Sequence, residues 1–194
     1  MRSRYVLALL AVCVPCLTSA PAQPALNYLA NNTVLIVRHA EKPAEGTGLT
    51  PMGEARAQLY AKYFQPFQED GFSISVDCLY AGADSKKSVR PRLTLEPLSK
   101  ASGLPLHLNV GTKDPEALVL ELKTEAHGQH PLIAWRHGEI PALLTAFGIA
   151  PEKILPNGKW PDDVYDWVIV IVTGPDGHPV SAKLIHESRA VPAA

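Results

Sequence analysis

Apolar and polar positions fall in blocks along this chain. Runs of β-branched and aliphatic side chains at 33–38 (TVLIVR), 74–80, 131–136 (PLIAWR) and 166–173 (DWVIVIVT) read as strands, with 181–186 (SAKLIH) a weaker candidate. The strongest runs are almost continuously apolar, as strands covered on both faces are. Between them lie stretches with helical punctuation. Thr50-Pro51 supplies an N-cap and a first-turn proline for a helix reaching about Phe64. Pro91 opens a second helix ending near Gly103, Asp114-Pro115-Glu116 a third ending near Gly128, and Ile140 to Phe147 form a fourth before Gly148. Strands separated by helices predict an α/β fold, a three-layer α/β/α sandwich around a largely parallel central sheet. Ligands of such sheets bind outside the carboxyl ends of the strands.

Two of the predicted strands end in the same pair, Arg38-His39 and Arg136-His137. One such pair is ordinarily a solvated corner. If the strands are neighbours, two imidazoles and at least one guanidinium meet in a small volume, and their like charges require an anion between them. A tetrahedral phosphate suits that set, because arginine offers a planar fork of donors and each histidine one directed N–H. A histidine can also attack phosphorus and form a covalent intermediate that water later cleaves.

Arg38-His39-Ala40-Glu41 resembles the Arg-His-Gly signature of the histidine phosphatase superfamily, which includes phosphoglycerate mutases, acid phosphatases and phytases. LTPMGEARAQ at 49–58 is similar to the family's helix start, and the likeness runs from about Thr33 to Thr173. The resemblance implies a phosphoglycerate mutase-like fold and a role for each matching residue. His39 is the expected nucleophile and Arg38 a phosphate ligand. A second phosphate ligand is expected at a helix start with a threonine four residues on, which Arg90 and Thr94 satisfy; Arg92 has Glu96 at that offset. His137 matches the second family histidine, which stabilises the phosphoryl group in transfer. Arg136-His137-Gly138-Glu139 is a more literal copy of the signature, but too little chain follows His137 for the remaining motifs.

The residue that protonates the leaving oxygen stays open among Glu41, Asp84, Asp114 and Glu139, with Glu41 placed first. Lys86 and Lys87 read as part of a solvated loop, and Arg136 is expected to face away from the site by strand alternation. The implied activity is a metal-independent phosphatase acting on a small phosphorylated substrate, with no cofactor. The alternative is a weak or inactive phosphate-binding module of the same fold. A metal hydrolase using His39, Glu41 and His137 fits less well, since no compact pair such as H-E-x-x-H is present.

The first residues change the picture of where this chemistry would take place. Arg2 and Arg4 precede the apolar stretch YVLALLAVCVPCL, and Thr18-Ser19-Ala20 supply small residues for cleavage. Residues 1–20 read as a signal peptide and 21–194 as one exported domain, periplasmic or secreted, with no membrane span in the mature part. Cys13 and Cys16 fall in that leader, leaving Cys78 alone and reading as a buried strand thiol. The net charge of −1 and the absence of a basic stripe speak against nucleic-acid binding.

Overall fold

The structure is a computed structural model and describes residues 26–188. The signal-peptide reading, with Cys13 and Cys16, lies outside the described residues. One sheet contains β1 (Thr33–Arg38), β2 (Cys78–Ala81), β3 (Leu106–His107), β4 (Pro131–Trp135), β5 (Trp167–Thr173) and β6 (Pro179–His186). Their spatial order is β3-β2-β4-β1-β5-β6. β1 lies parallel to β4, with Leu35 opposite Leu132 and Arg38 opposite Trp135. β2 is parallel to both β3 and β4. The sheet is largely parallel, as the apolar blocks predict. The departure is β5, which runs antiparallel to β1 and turns into β6 as a hairpin.

Side-chain alternation along β1 builds two cores. Val34 and Ile36 pack with Leu118 and Leu122 of α3 (Pro115–Thr124) and Leu143 and Leu144 of α4 (Ile140–Ala146). Leu35 and Val37 pack on the opposite face with Tyr60 of α1 (Pro51–Tyr63) and with Leu95 and Leu98 of α2 (Arg90–Ser102). Each such aliphatic side chain contributes about 1.5–3 kcal/mol when fully buried. Two boundaries differ from expectation. The 74–80 run enters the sheet only at Cys78, because Ile74 pairs instead with Phe67 in an isolated bridge. β3 has no counterpart in the apolar pattern, being two half-buried residues. Cys78 is free and buried, and burial pushes its thiol up to about 12.

The start of α1 bears directly on the Arg-His edge. The Thr50 hydroxyl accepts from the Gly53 N–H at 3.1 Å, and the Thr50 N–H donates to the Glu41 carbonyl at 3.0 Å. A Cβ at residue 53 would lie 2.6 Å from that carbonyl oxygen, so glycine is required for the helix to seat there. Among the described residues no helix is long and apolar enough to cross a membrane.

Candidate active site

Because β1 and β4 are adjacent and parallel, Arg38-His39 and Arg136-His137 emerge side by side at the same sheet edge. The rings of His39 and His137 lie 5.8 Å apart, edge to face at 75°. Both line a pocket of about 140 Å³ with Arg90, Lys42, Lys87 and Arg136, and no carboxylate lines it. This volume is below the roughly 300–1,000 Å³ of drug-sized ligand sites. It suits one small charged group, and the lining makes that group an anion.

His39 is 3 % exposed, and its Nδ1 is 2.8 Å from the Ala40 carbonyl oxygen. A carbonyl only accepts, so Nδ1 carries the proton and donates it there, leaving the lone pair on Nε2. Burial first, and then the positive charges of Arg38 and Arg90, lower the imidazole to about 3. At neutral pH it is therefore uncharged and nucleophilic. Thr94 fixes the loop that carries it. The buried Thr94 hydroxyl accepts from the Ala40 N–H at 2.8 Å and donates to the Arg90 carbonyl at 2.9 Å.

Arg90, at the start of α2, donates to the Ser88 hydroxyl and the Gly46 carbonyl, both at 3.2 Å. Its guanidinium lines the pocket, and its buried Nε, like that of Arg38, has no hydrogen-bond partner among the described residues. Arg92 instead pairs with Asp84 at 2.8 Å and Glu96 at 3.3 Å, outside the pocket. Arg38 departs from expectation. It is fully buried and does not line the pocket. Its Nη1 donates to the carbonyls of Pro161, Asp162 and Val164 at 3.1, 2.9 and 2.8 Å, and its Cζ sits 3.8 Å over the Tyr165 ring. Its Nη2 lies 3.2 Å from His137 Nδ1. Arginine has no acceptor, so Nδ1 holds a lone pair and His137 keeps its proton on Nε2. Burial first, and then the Arg38 charge, lower the His137 pKa and keep the ring neutral.

Glu41 also departs from expectation. Its carboxylate accepts from Arg56 Nε and Nη2 at 2.8–3.2 Å, and it does not line the pocket. A forked, buried ion pair is a strut, and it leaves Glu41 no access to a leaving oxygen. Arg56 also donates to Glu187 at 2.8 Å, and Tyr60 donates its hydroxyl to Glu187 at 2.5 Å. Burial and the nearby carboxylates of Asp166 and Glu41 raise Glu187 to about 7, against the pull of Arg56 and Tyr60. Of the other acid candidates, Asp84 is paired with Arg92, Glu139 lies 4.0 Å from Arg136, and Asp114 precedes α3 away from the pocket lining.

Three features of the site escaped the sequence reading. Lys87 and Arg136 line the pocket. Arg136 lies one residue beyond the end of β4, so strand alternation no longer sets its direction. The third is the 160–166 segment. Asp162 Oδ1 accepts from His137 Nε2 at 2.5 Å. The available signal was the acidic pair Asp162-Asp163 between Trp160 and Tyr165, just ahead of the apolar run of β5. Only the reversed direction of β5 brings that segment to the Arg-His edge.

No family model matches this chain, and neither does a curated protein. Solved structures do. Phosphoglycerate mutase from Plasmodium falciparum superimposes with a TM-score of 0.51 at 15% identity, over 85% of this chain and 94% of its own. The mycobacterial glucosyl-3-phosphoglycerate phosphatase gives 0.50 at 14% identity over 82% and 99%. The SixA protein of Agrobacterium tumefaciens gives 0.50 at 18% over 78% and 97%. The chain has a phosphoglycerate mutase-like fold.

Proposed function

We propose that the protein is a metal-independent phosphomonoesterase of the histidine phosphatase type, working through a phosphohistidine at His39. One observation carries this reading: His39 spends its Nδ1 proton on the Ala40 carbonyl and keeps its Nε2 lone pair in a small cationic pocket. That lone pair attacks phosphorus, the P–N bond forms, and the P–O bond to the leaving group breaks. Arg90 and the Nε2–H of His137 hold the phosphoryl oxygens, and donors of this kind are each worth about 3 kcal/mol of transition-state stabilisation. Water then attacks phosphorus, the P–N bond breaks, and inorganic phosphate leaves. Among the described residues no three His, Cys, Asp or Glu side chains gather as a metal site, and the cationic lining would repel one.

His39→Ala is expected to abolish hydrolysis of 4-nitrophenyl phosphate while the protein stays folded. Labelled substrate quenched during turnover of the wild type should leave an acid-labile phosphoenzyme. Undiminished turnover by the variant would sink the mechanism, and so would full inhibition of the wild type by a chelator. Binding of phosphate without any turnover would mark a phosphate-binding module instead. We further infer an exported protein acting on a small phosphorylated molecule outside the cytoplasm. That reading rests on residues 1–20 and is checked by the N-terminal sequence of the protein recovered from the secreting cell's envelope or medium.

A further inference from the structure

The carboxylate expected at Glu41 has a counterpart on another element. Asp162 combines a fixed backbone with a free side chain. Its carbonyl is gripped by the buried Arg38 at 2.9 Å, whereas its side chain is 83% exposed. The carboxylate has one hydrogen-bond partner among the described residues, the Nε2–H of His137. Oδ1 thus occupies the place of a ligand oxygen accepting from His137.

A phosphoryl dianion entering between the two imidazoles competes for that N–H and repels the carboxylate. We propose that Asp162, displaced from His137 by the phosphoryl group, is the catalytic residue that handles the proton in the phosphatase reaction inferred above. Displacement favours its protonated form. The hydrogen bond from His137 is the first cause holding its carboxyl below the usual range, and the dianion adds negative charge nearby. Lys42 and Arg38, the other charged groups facing it, act in the opposite sense and are present in both states. The steps balance. As His39 Nε2 bonds to phosphorus and the P–O bond breaks, the Asp162 proton passes to the leaving oxygen. In the second step a water attacks phosphorus, its proton passes to the Asp162 carboxylate, and the P–N bond breaks.

Phenyl phosphate needs a proton on its leaving oxygen, whereas 2,4-dinitrophenyl phosphate does not. Asp162→Asn should therefore lower kcat/KM for phenyl phosphate by about 10²-fold and change that for the dinitrophenyl ester by no more than about threefold. Asp162→Glu should recover part of the loss. A second measurement needs no variant. Calorimetry of inorganic phosphate binding to the wild type, in buffers of different ionisation enthalpy at a pH where phosphate is the dianion, should show proton uptake. Equal losses on the two esters, an unchanged rate with phenyl phosphate, or the absence of proton uptake would each overturn the assignment. A phosphoenzyme trapped alongside any of these results leaves the His39 mechanism standing. Wild-type turnover of both esters by His39→Ala removes that mechanism instead.

Discussion

Two arginines that look alike in sequence differ in what surrounds them. Arg38 is a buried strut whose guanidinium ties three carbonyls of the 161–164 segment and the Nδ1 of His137. Arg90 is half-buried, has no carboxylate partner among the described residues and faces the pocket. Arg38→Met should therefore cost both fold and function. It strands buried acceptors at about 1–3 kcal/mol each, so a thermal melt should shift down markedly together with the loss of turnover. Arg90→Met should leave the melt nearly unchanged and weaken phosphate binding and turnover. Similar melts for the two variants would contradict the distinction. Sequence pattern locates the residues at the ligand-binding edge, because an apolar run ending in Arg-His needs only a strand and its polarity. Which donors point inward depends on the partners of Arg38 at Pro161, Asp162 and Val164, more than a hundred residues downstream, and local pattern carries no trace of them.

At the scale of elements, legibility follows how local each signal is. The bounds of β1 and of α1 were readable because an unbroken apolar run and a Thr-Pro cap act within a few residues. β3 and the reversal of β5 were not, since both are fixed by pairing with distant strands. The contact between α1 and the loop after β1 is a case where one residue joins two elements. Gly53→Ala places a methyl carbon 2.6 Å from the Glu41 carbonyl oxygen. α1 must then lift from the loop that carries His39. The substitution should lower stability by about 1–3 kcal/mol, the usual cost of overpacking, and should reduce turnover more than substrate affinity. Full activity in a protein with an unchanged melt would show that the helix seat does not position His39.

Across the whole molecule, a buried network links the nucleophile's loop to the end of the sheet. Glu41 and Glu187 share Arg56, and Tyr60 supports Glu187. Burial first, and then the neighbouring carboxylates of Asp166 and Glu41, let Glu187 hold its proton up to about 7, against an ordinary value of 4.5. The unfolded chain gives up that proton earlier. Stability should therefore fall as pH rises from about 4.5 to about 7, by on the order of 1 kcal/mol per pH unit, and level off above that. Glu187→Gln should flatten this part of a melting-temperature profile, and a profile unchanged by the substitution would count against the network. The reversed β5 has a consequence in time as well as in space. On a ribosome, His39, Arg90 and His137 all emerge before the strand that lies against β1. The 160–166 cover emerges just ahead of β5 and the Glu187 anchor after it, and β1 meets β5 only by closing a long loop, a slow event in folding. A nascent chain would thus carry its nucleophile and two phosphate-binding donors without a working pocket until the last hairpin is in place.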